Sequence, residues 1–320
     1  DYDFGKSVRS IYNYDFTFKI SSNSKLEAFT EYENTTGYTN KIEVKHRNEF
    51  SQSFIFAQNI NSIFSYNIKV RKSFNSVYNI PFLAAFGASY SLNKNFKLRG
   101  NASKNFRAPT INDLYWPGQG NPSLKPETSK QFDIGISYKA NSLEIGFDYF
   151  QIESQDNIVW TPNGNPERPG VWVPINLNET MNKGIEFVMN LEKSFNNQYF
   201  SLKTNYSFIN AIDKSTNKLL IFTPKHLLNL NSSYRYKKWS AAYQFLFNGK
   251  TFTSEDNLDS HSLPGFNISN INIVYTFLKN SKKTLSTSLK INNLFNKKYI
   301  ISPRRIMPNR NFNININYKF

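Results

Sequence analysis

The chain has 320 residues, a mass of 37.2 kDa, no cysteine and a formal net charge of +16. Disulfides and thiolate metal sites are therefore excluded, and the even composition offers no break at which to divide the length into two domains. Aromatic residues make up 16% of the chain while its mean hydropathy is -0.54, so large rings are abundant but diluted by Asn, Ser and Lys. No run reaches the roughly 18 apolar residues of a membrane helix.

Alternation of apolar and polar side chains predicts fifteen strands. In chain order they run Val8 to Ile20, Lys25 to Glu33, His46 to Ile60, Ser62 to Phe74, Ile80 to Leu92, Phe96 to Phe106, Ser129 to Lys139 and Leu143 to Glu153. They continue with Leu177 to Lys193, Tyr199 to Asn210, Pro224 to Tyr236, Trp239 to Phe252, Phe266 to Leu278, Thr284 to Leu294 and Phe312 to Phe320. The last is the clearest, with Phe312, Ile314, Ile316, Tyr318 and Phe320 on one face and Asn313, Asn315, Asn317 and Lys319 on the other. Its length suits a tilted strand crossing a bilayer, which takes about 9 to 11 residues.

Alternation alone does not say which face is inside, because a soluble sandwich also reads apolar on one side. The connections discriminate. Tight turns such as Ser21 to Ser24, Asn61, Asn93 to Asn95 and Lys237 with Lys238 alternate strictly with longer ones. The long set includes Asn34 to Lys45, Arg107 to Thr128, Ser154 to Asn176, Ala211 to Thr223, Thr253 to Gly265 and Phe295 to Asn311. Short turns at one end and long loops at the other are the pattern of an all-β, transmembrane, antiparallel up-and-down β-barrel with periplasmic turns and extracellular loops. Rings would then face lipid, and the asparagine-rich faces a wet interior. Fifteen is odd, whereas bacterial single-chain barrels close with even numbers, so either one strand is miscounted or strands precede Asp1. The first residues lack the basic start and apolar segment of a signal peptide, so the chain is expected to be mature or to begin partway through a longer protein.

Lysines are scattered along strands and turns rather than gathered on one helix, so the positive charge reads as solvated surface or attraction to anionic lipid headgroups, with no nucleic acid expected as partner. His46, His226 and His261 fall in or beside three different loops, without nucleophile-triad or metal-ligand spacing, so neither catalytic nor metal residues are expected. The glycines and prolines of Arg107 to Pro126 lack a Walker spacing and read as a loop stiffened by Pro109, Pro117, Pro122 and Pro126. Tyr115, Trp116, Trp160 and Trp172, with Gln119 beside them, are aromatics in predicted extracellular loops and are candidates to stack on a planar ligand. Arg304, Arg305 and Arg310 form a basic cluster in the last loop, suited to an anionic ligand or a lipopolysaccharide phosphate.

The segment Asn105-Phe106-Arg107-Ala108-Pro109-Thr110-Ile111-Asn112-Asp113-Leu114-Tyr115, followed by Gly120-Asn121-Pro122-Ser123-Leu124-Lys125-Pro126-Glu127, resembles the signature of TonB-dependent outer-membrane receptors. Similar matches follow in the family's order at Asn182-Lys183-Gly184-Ile185-Glu186, Thr223-Pro224-Lys225-His226, Asn293-Leu294-Phe295-Asn296-Lys297-Lys298-Tyr299 and Pro308-Asn309-Arg310-Asn311-Phe312. Asn296 stands where the family often has Asp, and Asn309 where it often has Gly, so a tight turn at Asn309 would need left-handed geometry. The resemblance implies a 22-stranded barrel filled by an N-terminal plug that engages TonB. On that reading residues 1–320 are the C-terminal part of one barrel domain, with the plug missing. Tyr318 and Phe320 are read as the barrel-assembly signal.

By the same resemblance the protein is a receptor in the bacterial outer membrane, taking up a scarce, bulky small molecule and touching lipid and lipopolysaccharide, with no cofactor. Haem receptors of the family place a His between the two signature segments, and Thr110 to Gly120 contains none. The Asn-Asp-Leu-Tyr-Trp run at 112–116 with the Asn-Pro-Ser-Leu-Lys-Pro-Glu run is more similar to the cobalamin-receptor branch, although ferric-siderophore receptors share much of it. A passive porin of sixteen strands and an assembly partner that borrows the barrel remain the alternatives of another class.

Overall fold

The structure, a computed structural model, describes residues 5–39, 42–168, 170–279, 283–303 and 305–320. Its strands are β1 (Gly5–Lys19), β2 (Ser24–Thr39), β3 (Ile42–Asn59), β4 (Phe64–Asn75), β5 (Leu83–Ser91), β6 (Phe96–Arg107), β7 (Glu127–Ala140), β8 (Leu143–Pro162), β9 (Trp172–Phe195) and β10 (Gln198–Asp213). After these come β11 (Lys218–Leu219), β12 (His226–Tyr236), β13 (Trp239–Asn248), β14 (Thr251–Phe252), β15 (Ser262–Leu263), β16 (Phe266–Lys279), β17 (Thr284–Asn292), β18 (Ile300–Ser302), β19 (Arg305–Ile306) and β20 (Asn311–Lys319). One short α-helix, α1 (Ile111–Tyr115), interrupts the series between β6 and β7.

Hydrogen-bonded neighbours follow chain order from β1 to β10 and then through β12, β13, β16, β17 and β20, while β11 pairs with β10. The remaining short strands make two small hairpins, β14 with β15 and β18 with β19. Every registered pair is antiparallel, from Gly5↔Thr39 in β1 and β2 to Thr284↔Lys319 in β17 and β20. All fifteen predicted strands are present.

Contacts divide the chain into two compact units. One comprises residues 1–134, 150–182 and 212–217, the other residues 135–149, 183–211 and 218–320. In the first unit, Asn61 and Asn93 close their tight turns by the same device: each side-chain oxygen accepts two backbone N–H groups, from Ile63 and Phe64 and from Asn95 and Phe96. In the second, left-handed residues do the work: Asn141 at φ 45°, Asn196 and Asn197 at 43° and 63°, and Lys237 at 51°. Asparagine tolerates this region because its short polar side chain bonds locally. At Gly135, on β7, an added Cβ would lie 1.8 Å from Asp148 Oδ1, so only glycine lets that carboxylate lie across the strand.

Several boundaries differ from expectation. β2 continues to Thr39, β8 to Pro162, and β9 begins at Trp172, so much of the predicted long loops is strand. Apolar alternation stops where hydrocarbon stops, but the backbone ladder does not depend on lipid and continues on β-branched and aromatic residues. Trp160 and Trp172, expected in loops, therefore sit on strands. Phe252 leaves β13 for a separate hairpin, and Pro224 precedes β12, since proline has no N–H for the ladder. Asn309 is not left-handed; in that last loop Asn293 and Asn296 are, at φ 51° and 52°.

Large rings point out and stay uncovered. On β7, Phe132, Ile134 and Ile136 are exposed, while Gln131 and Asp133 between them are partly covered. Neighbouring strands bring rings together on that face: Tyr66 lies 6.1 to 6.3 Å from Phe56, Phe64 and Phe86, Phe147 lies 4.9 Å from Phe187, and Trp239 lies 4.7 Å from Tyr275. The opposite face carries polar ladders: Ser51 with Ser73 at 2.7 Å, Thr30 with Gln52 at 2.8 Å and Asn101 with Asp133 at 3.1 Å. Few large apolar side chains are buried among the described residues, and the principal cluster lies in a loop. A soluble sandwich would have buried these rings between two sheets. Exposed rings over a hydrogen-bonded polar wall are the arrangement of a sheet solvated by lipid.

Candidate functional site

The densest assembly of polar and apolar contacts in the first unit is the connection from Arg107 to Glu127. Thr110 starts α1 with a capping box: its hydroxyl accepts the Asp113 N–H at 3.1 Å, and the Asp113 carboxylate accepts the Thr110 N–H at 2.8 Å. The reciprocal bonds satisfy two N–H groups that a helix start leaves open. Asp113 also accepts the Trp160 indole N–H, at 2.9 Å, from β8.

Arg107 and Glu127 close the base of the connection. Arg107 Nε donates to Glu127 Oε2 at 2.7 Å and Nη2 donates to Oε1, which gives the planar fork-to-carboxylate geometry that arginine favours. The Ile158 backbone N–H also donates to Glu127, tying β8 to the same carboxylate. Arg107 Nη1 stands 3.9 Å from Asp113. Burial pushes the Asp113 carboxyl up, but the Thr110 N–H, the Trp160 indole, the Thr110 hydroxyl and Arg107 outweigh it and hold it below the usual carboxylate range.

Above these charges lies a small apolar core of Leu114, Leu124 and Ile158, with Tyr78 and Tyr115 packed against it. The return path is held by backbone and amide bonds. Asn121 N–H donates to Asp113 O at 2.8 Å, and Asn176 binds both the N–H and the carbonyl of Lys125, at 2.9 and 3.0 Å. At Gly120 an added Cβ would lie 2.5 to 2.7 Å from Trp116 N, Tyr115 N and Leu114 O, so the turn requires glycine.

This loop folds back over the polar face instead of projecting away from it. Ile111 packs onto Gly37 of β2, Arg47 of β3 donates to the buried Pro109 carbonyl at 3.2 Å, and Lys45 stands 5.1 Å from the centre of the Tyr115 ring. Beside it the same face forms a cleft of about 480 Å³, lined by Arg9, Glu33, Arg47, Glu49 and Arg71 among others. Arg9 pairs with Glu33, and Arg71 reaches Ser51 at 2.7 Å and Glu49 at 3.4 Å.

Among the residues expected at the site, Tyr115 ends α1 half-buried, Trp116 follows it exposed, and Gln119 lies in the next turn with its N–H on the Trp116 carbonyl at 3.1 Å. Trp160 is committed to Asp113, and Trp172 is half-buried at the start of β9. Arg305 is exposed on β19, in the other unit, and Arg304 lies outside the described residues. Tyr318 and Phe320 place their rings 5.8 Å apart at the chain's end. Arg107, Asp113, Glu127 and Tyr78 were not singled out by sequence reading. A signal existed: Thr110 and Asp113 stand at capping spacing, and Arg107 and Glu127 are opposite charges at the two mouths of one proline-rich loop. His46, His226 and His261 have separate partners in Thr36, Tyr206 and Asp256.

Residues 1–294 match the family described as TonB dependent receptor-like, beta-barrel. The chain is 30% identical over 251 residues to the vitamin B12 transporter BtuB of Photobacterium profundum, covering 78% of this chain and 40% of that protein. It is 29% identical over 222 residues to the protein of the same name from Vibrio vulnificus, covering 67% and 33%. The chain thus spans well under half the length of these relatives. Among solved structures it is similar to a mutant of the ferric enterobactin receptor PfeA of Pseudomonas aeruginosa, with a TM-score of 0.78 and 16% identity over 99% of this chain and 54% of that one. The siderophore receptor PirA of Acinetobacter baumannii gives a TM-score of 0.77 at 16% identity, over 99% and 55%. With its antiparallel all-β architecture, lipid-facing rings and matching sequence, the chain belongs to the TonB-dependent receptor β-barrels of the bacterial outer membrane.

Proposed function

We propose that residues 1–320 are the greater part of one receptor barrel domain, that the whole protein takes up cobalamin by TonB-energised transport, and that its ligand is first held at the outer loops. The observation that carries the cobalamin reading is the 30% identity over 251 residues to a vitamin B12 transporter. TonB is engaged through an N-terminal plug, as the family resemblance implies. The loop from Arg107 to Glu127 serves as a stiff platform, and the exposed Trp116 with Gln119 and Tyr115 offers the ligand a ring and an amide. Trp172 and the arginines of the last loop, Arg304 and Arg305, are secondary contacts, and Tyr318 and Phe320 direct barrel assembly. The chain contributes no covalent step.

A second reading, uptake of a ferric siderophore, is supported by the likeness to PfeA and by 27% identity over 168 residues to an iron-regulated outer membrane virulence protein of Vibrio cholerae. Equilibrium binding of cyanocobalamin and of ferric enterobactin to the complete gene product distinguishes the two. Submicromolar binding of the corrinoid, weakened by Trp116→Ala, is the expected result; tight binding of the iron chelate with no corrinoid binding would overturn it. A steady large conductance in planar bilayers would instead indicate a passive porin.

A further inference from the structure

The first unit carries a second cleft, of about 310 Å³, between the outer ends of its later strands; Lys104, Thr128, Lys130, Glu153, Glu179 and Lys214 are among the residues that line it. Alternation puts its charged groups on the ring-bearing side of the sheet. On β7, Lys130 shares the exposed face with Phe132 and Ile134. On β8, Glu153 shares it with Tyr149. This cleft therefore opens toward the membrane side, away from the polar wall and its ligand platform.

Its height follows from strand geometry. Two residues of strand rise about 7 Å, so Lys130 stands one step beyond the last ring of its face, at the level where hydrocarbon gives way to headgroups. A lysine there extends its charge outward while its stem stays on apolar surface. Lys214 is held by Glu179, with Nζ 3.0 Å from Oε2, and Glu153 lies near enough to add to its stabilisation. Lys104 and Lys130 make no ion pair among the described residues, so three lysines against two glutamates leave the cleft net cationic.

We propose that this cleft binds the phosphorylated headgroup of an outer-leaflet glycolipid, with Lys104 and Lys130 on the phosphate and Thr128 as an additional donor. A phosphate monoester carries about -1.5 to -2 charge at neutral pH and takes several donors at once, which a pair of unpartnered ammonium groups supplies. The pairing of Lys214 with Glu179 keeps one carboxylate from repelling it. The proposal rests on the outer-membrane placement of the family and not on which nutrient is carried.

The test uses the complete gene product extracted from outer membranes and reconstituted in nanodiscs with phosphorylated or enzymatically dephosphorylated lipid A, with retained glycolipid counted by native mass spectrometry. Each lysine at an anionic surface contributes about fivefold in affinity, so K104Q/K130Q should retain about 25-fold less phosphorylated lipid. K104R/K130R should retain it, as should K94Q, placed in a tight turn at the far end of β5. Failure of the double glutamine variant to fold would show as loss of heat-resistant migration, and then K130Q alone carries the measurement. Equal retention of lipid by the glutamine variant and the wild type would overturn the proposal. Equal retention of the dephosphorylated lipid would do so too, and competition by inorganic phosphate at matching concentration would mark a soluble-anion site instead.

Discussion

Two connections on the same kind of sheet are held by opposite means. The segment 107–126 has its own helix, a buried aspartate and an apolar core, whereas the segment 249–265 rests on groups washed by solvent. In the second, Lys250 pairs with Asp259 although 42% and 89% of their side chains are exposed, and His261 Nδ1 meets Asp256 at 2.5 Å on the surface. Asn257 adds backbone bonds to Leu219, and Leu263 is its one deeply buried apolar side chain. Exposed ion pairs gain little because water screens them, but a desolvated carboxylate with three donors cannot lose one without leaving charge unpaired. A receptor that must present a fixed surface has reason to build the first kind; the second kind can yield.

The largest effect should come from Asp113→Ala. It removes the helix cap and the Trp160 partner together and should cost the loop about 3 kcal/mol of local stability. Hydrogen exchange of residues 107–126 reads this directly, and unchanged protection would break the comparison. Next comes Gly120→Ala, whose methyl group has no free space against three backbone atoms. It should open the turn to proteolysis while β6 and β7 stay intact.

A double-mutant cycle on Arg107 and Glu127 should give a coupling of about 1 kcal/mol, kept modest because the Arg107 side chain is 46% exposed. Trp116→Ala should leave loop protection untouched and weaken ligand binding, separating the platform from what it presents. The smallest effect is Lys250→Ala in the other loop, well under about 1 kcal/mol by the same exchange measurement.

The two loops should also part company with pH. Asp113 has a folded pKa below its unfolded value of about 3.8. Its contribution is therefore complete above that value and disappears as pH falls through the lower, folded one. Protection of 107–126 should be flat from about pH 8 to 5 and collapse only in strong acid. Collapse already near pH 6 would implicate a histidine in place of Asp113.

How much of this was legible beforehand can be judged strand by strand. Period-two alternation located β20 within a residue at each end, and β6 likewise, because lipid on one side and a polar wall on the other impose a strict code on each position. It cut β8 short at Glu153, whereas the strand runs to Pro162, since beyond the hydrocarbon no solvent contrast marks the faces while backbone pairing continues. The candidate site was half visible. Tyr115 and Trp116 were chosen as exposed rings, and Trp116 is one; Trp160 was chosen for the same reason and proves to be a brace on Asp113.

By itself the order of residues determined the β class, the fifteen long strands, the outward rings and the membership of an outer-membrane family, because each depends on local alternation or on a contiguous motif. Tertiary structure alone decided that the proline-rich loop turns back onto the polar face, that Arg107 meets Glu127 and that Trp160 reaches Asp113. Those contacts join residues 20 to 62 positions apart, and only the pairing of whole strands brings them within hydrogen-bonding distance.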